Sequence, residues 1–366
     1  MSLGAKRRVS GCDQLRFVEE IPAAPLVPRL VVIAGRRIAT TQVFETFWRF
    51  AAERQRIFFA RAAGAAPPWT EDRILQRFRF TNAYRAADRV SQFLIREVQN
   101  GPQDDAALFL RTVLFKLFNR IETWQLLERH VGIITPATFE PQVYSRILTD
   151  ALARGERIYS GAYIMPAATR HPGRKHEGHL QLLQRMIAED VPARLRAAGT
   201  MEQAFQLLRR YPMVGDFLAY QYITDLNYSG LLSFSEMEFV MPGPGARSGI
   251  QKCFADRGTY SDADIIRWTT DQQAEAFVSR ELKFQSLWGR PLQLIDVQNL
   301  FCEVDKYARV AHPDAIGLGE RTRIKQEYRY NAATIEYAFP EKWGINTALR
   351  EWKSTIIRQQ PGGSTW

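Results

Sequence analysis

RYPMVGDFLAYQYITDLNYSGLLSFSEMEFVMPGPGARSG, from Arg210 to Gly249, reads as a helix end, a tight turn, a second helix, an acidic connector and a glycine-rich turn that opens a third helix. Just before it, Met201, Ala204, Phe205 and Leu208 fall at i, i+3, i+4 and i+7, the apolar stripe of an amphipathic helix. Pro212 and Gly215 interrupt that helix, and DFLAYQYITDL restarts it with Asp216 set to accept the first free amides. Such a hairpin, near 201–226, exposes backbone N–H groups that can hold a phosphate. Gly215, Gly243, Gly245 and Arg247 are therefore expected against a DNA backbone.

This order of elements resembles the helix-hairpin-helix of DNA glycosylases, where a catalytic carboxylate follows the hairpin by about one helix and a connector. The glycosylase hairpin carries two glycines around an apolar residue, and Met213 occupies the first of those positions here. Three acids follow: Asp225, Glu236 and Glu238. Cleaving an N-glycosidic bond builds positive charge on the sugar, which a carboxylate can stabilise or attack through a water. Glu238 directly precedes FVMPGPGA, Glu236 has nearly the same spacing, and Asp225 also reads as a plain helix end. Solvated or capping acids are the alternative reading. No lysine occurs between Lys175 and Lys252, so no local amine is at hand for a Schiff base. The expectation is a monofunctional N-glycosylase that uses water.

The 366 residues carry 49 basic against 39 acidic side chains, a net charge of +10, which favours a phosphate-bearing partner. A hydrophobic content of 46% with 12% aromatic is ample for a buried core. Cys12, Cys253 and Cys302 are too few and too scattered for a disulfide framework, so a reducing, cytoplasmic setting is expected. LVVIAG at 30–35 is too short to span a membrane. No cofactor, membrane or obligate protein partner is expected.

The pattern along the chain is mainly α: a helical, glycosylase-like fold with a helix-hairpin-helix element and few short strands. Residues 1–40 read as an N-terminal arm with one apolar run at 30–34. Residues 41–350 read as a single helical domain that ends in a basic segment, 312–350, and 351–366 as a tail. Helices are expected near 41–64, 71–79, 84–99, 104–118, 120–129, 140–154 and 177–197, with 155–176 as a long basic loop.

Three further constellations bear on function. In 77–99, Arg85, Arg89, Gln92 and Arg96 line one helical face suited to tracking phosphates, and Tyr84 shares a face with Asp88 where it can stack on a flipped base. In 292–310, Asp296, Asn299, Glu303 and Lys306 line one side, with Asp305 and Tyr307 beside them, a mixture able to read a base edge. A charged face with Glu303 paired to Lys306 is the alternative. In 321–330, Arg321, Arg323, Lys325 and Arg329 alternate with Tyr328 and Tyr330, a composition suited to a strand-tracking groove. HPGRKHEGH at 171–179 offers His176 and His179 three apart, but no further ligand at metal-site spacing, so no metal is expected. Gly243-Pro244-Gly245 is not a P-loop, because the following Gly-Lys-Ser/Thr is absent.

RFTNAYRAADRVSQFLI (79–95), DFLAYQYITDLNYS (216–229), FVMPGPGA (239–246), FCEVDKY (301–307) and KWGIN (342–346) together resemble the DNA base hypermodification family. Its members are the α-glutamyl/putrescinyl thymine pyrophosphorylases and the helical domain of 5-hydroxymethyluracil DNA kinases. The resemblance runs over roughly residues 40–350 and implies a mostly helical protein similar to helix-hairpin-helix glycosylases. Some members resemble anti-phage glycosylases acting on bulky modified pyrimidines. An aspartate is usual before FV in the family, whereas Glu238 stands here. The leading expectation is excision of a modified pyrimidine from DNA, of phage origin, with Tyr84, Asp88, Asn299, Glu303, Asp305 and Lys306 around the flipped base. The alternative is a transferase that replaces a leaving group on a 5-hydroxymethyl pyrimidine, or a reader that binds the base unchanged.

Overall fold

The computed structural model describes residues 30–161, 165–167, 173–319, 321–332 and 335–359. The expected arm over 1–29, Cys12 and His171 lie outside them. Among the described residues the protein is mainly α, with fifteen α-helices and one three-stranded sheet.

The chain enters as a hairpin, β1 (Leu30–Ile33) and β2 (Arg36–Thr40), where one strand was expected. Its two-residue turn, Ala34-Gly35, has positive φ at both positions, the twist that matches an antiparallel pair. Thr41 caps α1 (Gln42–Ala62), whose buried residues include Phe44, Phe47, Trp48, Phe50, Phe58 and Phe59. Then follow α2 (Arg73–Arg77), α3 (Arg89–Phe93), α4 (Asp105–Phe118), α5 (Ile121–Val131), α6 (Pro141–Ala153), α7 (Lys175–Ala188) and α8 (Val191–Arg196). Helix α4 is buried on every side from Ala107 to Phe118, as expected of a helix sheathed by others.

Two long helices of the sequence reading are broken. Over 84–99 the chain forms a 3-10 turn at Arg85–Ala87, then α3, then a π turn at Leu94–Val98. The break has a local cause: the backbone at Asp88 is extended, its side chain accepts from the Asn82 amide, and the Arg85 amide is held by Asp296. Arg111 serves the carbonyls the π turn leaves over, donating to Val98 and Glu97. The 177–197 helix splits at Asp190, which sits at φ 52° just ahead of Pro192 in the first turn of α8.

Helices α9 (Met201–Arg209) and α10 (Asp216–Leu226) flank the expected turn and pack on each other. Met213 takes a left-handed conformation there, φ 67°. Gly215, not Asp216, is the N-cap of α10; Asp216 is the first helical residue and pairs with Arg209. Next come α11 (Pro244–Cys253), β3 (Phe254–Asp256), α12 (Asp262–Asp271), α13 (Gln273–Val278), α14 (Leu294–Ala311) and α15 (Asn346–Gln359). Strand β3 pairs with β2, and the Thr41 amide donates to the Cys253 carbonyl, so the hairpin is tied to the end of α11.

Helix α11 packs directly against α14. Gly245 and Gly249 sit one turn apart on the contact face. A Cβ at Gly249 would fall on the Phe301 carbonyl, and one at Gly245 on the Cys302 sulfur. At Gly243 a Cβ would lie 2.8 Å from the Phe217 ring, so the starts of α10 and α11 adjoin. Helix α15 crosses position 350 and packs Trp352 against Phe59 and Trp288.

Candidate functional site

The three candidate acids fall in three different environments. Asp225 is fully buried on α10 and held bidentately by Arg85, at 2.7 and 2.9 Å, with Lys116 at 3.1 Å. Burial alone would raise its pKa, but the two cations outweigh it and hold the group below the usual carboxylate range. Glu236 is buried and accepts from Trp343 Nε1 at 2.7 Å and from Arg290 at 2.9 Å; burial pushes its pKa up. Arg290 stacks 3.9 Å above the Trp343 ring. Glu238 is exposed and accepts from the Met201 amide at the start of α9, while Arg267 holds its carbonyl.

Four of the six base-pocket candidates do come together, around the loop that joins α2 to the broken helix. Glu303 accepts from the Thr81 amide at 2.9 Å and from Lys306 Nζ at 2.8 Å. Asn299 donates to Thr81 Oγ1 at 2.9 Å. Asp88 accepts from the Asn82 amide at 2.8 Å. Lys306 lies 4.5 Å over the Phe80 ring. The turn at Thr81-Asn82 thus gathers side chains from α14 and from the segment before α3. The spacing on α14 is the reason: Asn299, Glu303 and Lys306 share one side of the helix, one and then about two turns along.

Arg54 of α1, which the sequence reading missed, completes the cluster. Its guanidinium donates to the Thr81 carbonyl at 2.9 Å and to Asn82 Oδ1 at 3.0 Å, and lies within electrostatic reach of Asp88 and Glu303. Asp88 keeps an accessible edge, yet desolvation pushes its pKa up to about 7. The buried hydroxyl of Tyr328 has no hydrogen-bond partner among the described residues, and its electrostatic influence on Arg54 puts it at the same cluster. Nothing in the local pattern at 54 signals this role, because Arg54 looks like one more charge on a long helix.

The other two pocket candidates lie elsewhere. Tyr84 is fully buried, donating to the Arg290 carbonyl at 2.6 Å and accepting from the Leu287 amide, so it has no face for a base. Asp305 points to the opposite side of α14, where Ser248, Lys252 and Arg309 hold it. Adjacent helical positions diverge by about 100°, which separates Asp305 from Lys306.

Of the DNA-backbone candidates, Arg85 is excluded by its burial against Asp225. Gly245 is used in the α11–α14 contact, and Gly243 is buried beside Phe217. Arg89, Gly215 and Arg247 are exposed. Arg321, Arg323 and Lys325 are exposed along an extended strap that pairs antiparallel with residues 77–79: Arg79 N–H donates to the Gln326 carbonyl and Tyr328 N–H to the Arg77 carbonyl. Side chains alternate along such a segment. Arg321, Arg323, Lys325 and Arg329 face outward, while Ile324 is buried and Tyr328 turns inward to the cluster. Arg73, Arg77 and Arg79 are exposed next to them, so the polar cluster lies under a basic rim.

His176 bonds Thr149, and His179 is held between Tyr159 and the Pro166 carbonyl. No group of three metal-binding side chains occurs among the described residues, and no helix among them is long and apolar enough to cross a membrane.

The family described as "5-hmdU DNA kinase, helical domain" matches residues 41–317, from the start of α1 past the end of α14. A 5-hmdU DNA kinase of Bacillus phage SP10 is 28% identical over 279 residues, which cover 70% of this chain and 43% of that relative. The chain thus spans less than half the length of the relative it matches. No solved structure matches. These findings correct the expected enzyme class, because the related protein is a kinase, a transferase, and not an N-glycosylase. With its match over 41–317, this chain belongs to the family of the 5-hmdU DNA kinase helical domain.

Proposed function

We propose that this protein is a transferase acting on a 5-hydroxymethyl pyrimidine in DNA, with chemistry at the exocyclic carbon and the glycosidic bond left intact. The observation that supports this most is the cluster under the basic rim, where Asp88 has a pKa of about 7. A base poised near neutrality takes a proton most effectively at working pH. Asn299, whose amide nitrogen holds Thr81, offers its amide oxygen to the pyrimidine, and the strap cations meet the phosphates of the strand.

The substrate class is a pyrimidine whose hydroxymethyl oxygen carries a phosphoryl or diphosphoryl group. An amine lone pair attacks the methylene carbon, the carbon–oxygen bond breaks, and the oxygen leaves with its electron pair as (di)phosphate. The amine proton passes to Asp88. Lys306, half-buried beside Glu303, stands as the binder of the departing anion.

The test is release of inorganic diphosphate from an oligonucleotide carrying diphosphorylated 5-hydroxymethyldeoxyuridine, with a primary amine supplied. Wild-type protein is expected to release it, and Asp88→Asn to be slower by about 100-fold or more. Equal rates in Asp88→Asn would remove Asp88 from the reaction. Tight binding of that DNA with no release would favour a reader of the modified base.

A further inference from the structure

Where the strap leaves residues 77–79, it carries Tyr330 to the side of Trp69. The rings lie 5.9 Å apart at 34°, and Arg61 sits 4.8 Å from the Trp69 ring centre. Trp69 is fixed from two sides, its indole N–H donating to the Ala65 carbonyl and its own carbonyl accepting from Arg56. Tyr330 is 59% exposed although it is a large aromatic side chain backed by another. Arg61 and Tyr330 thus both lie against the Trp69 ring, and Tyr330 is open to solvent.

We infer that Tyr330, backed by Trp69, is a stacking platform for an unpaired base of the DNA strand next to the reacting nucleotide. This rests on the DNA-binding reading above and adds a preference for single-stranded or locally opened DNA. Three features fit that partner. The platform follows directly on a strap of exposed cations, Arg321, Arg323, Lys325 and Arg329. A base offers a π face whatever its sequence, so stacking on tyrosine needs no edge to read. Arg61 beside Trp69, and Arg329 next to Tyr330 in the chain, bring positive charge close to the phosphate that would flank a stacked base.

The test measures anisotropy of fluorescein-labelled oligo-dT and of a blunt hairpin duplex with the whole protein. Tyr330→Ala is expected to weaken oligo-dT binding by about tenfold and leave the duplex nearly unchanged. Tyr330→Phe keeps the ring and is expected to bind as wild type. Tyr330 is exposed, so its variants keep the fold, and they decide the matter without Trp69→Ala. Wild-type affinity of Tyr330→Ala for oligo-dT, with Arg323→Glu weakening both DNAs, would overturn the platform and leave the DNA reading standing. Failure of wild-type protein to bind either DNA would overturn both.

Discussion

Asp225 and Asp88 are the same residue type in one helical protein, and their neighbours give them opposite properties. Asp225 meets two buried cations and stays ionised; Asp88 meets one backbone amide and a low-dielectric wall, and holds its proton to about pH 7. Asp225→Ala leaves Arg85 and Lys116 buried without their anion, and is expected to cost about 3–5 kcal/mol in urea unfolding. The loss of Asp88's proton has a defined direction. An unfolded chain releases it near the ordinary value of 3.8, so between about pH 4 and 7 the native state binds more protons and stability falls as pH rises. Asp88→Asn removes that term. Relative to wild type it is expected to be more stable at pH 8 by on the order of 1 kcal/mol, with the difference shrinking towards pH 4.5. A variant that gains stability while losing turnover would mark Asp88 as a group kept for chemistry.

At the scale of elements, the α11–α14 contact depends on two glycines. In Gly249→Ala the new methyl meets backbone, which cannot rotate away, so α11 must shift from α14. The expected cost is about 1–3 kcal/mol with a lower thermal midpoint; an unchanged midpoint would show that the two helices are not so close. Of the two, Gly245 was expected at a phosphate instead, since a glycine-rich helix start serves either purpose. The apolar spacing of α1 and α9 was readable because each buries a face at the helical period. The breaks at Asp88 and Asp190 were not, because they depend on where side chains from elsewhere take the backbone's hydrogen bonds.

Over the whole molecule, the legible part of the site was the part written on one helix: Asn299, Glu303 and Lys306 share a face at readable spacing. Arg54, Tyr328 and the true place of Arg85 were not legible, since each is fixed by partners far along the chain; Arg85 meets Asp225 across 140 positions. The net charge of +10 likewise hinted at a nucleic-acid partner without saying which cations face it. The strap gives that charge an address. Replacing Arg321, Arg323 and Lys325 by alanine together is expected to lower the slope of log affinity for duplex DNA against log salt by about 2–3. A slope equal to wild type would put the DNA on another face.

Chemistry on the exocyclic carbon leaves the base attached to its sugar. It is tested most directly by digesting reacted DNA to nucleosides for mass spectrometry, after incubating diphosphorylated 5-hydroxymethyluracil DNA with a 15N-labelled amine. The expected product is a nucleoside that has lost diphosphate and gained the labelled nitrogen on its methylene carbon. Recovery of the starting nucleoside alone, from protein that binds this DNA, would contradict it.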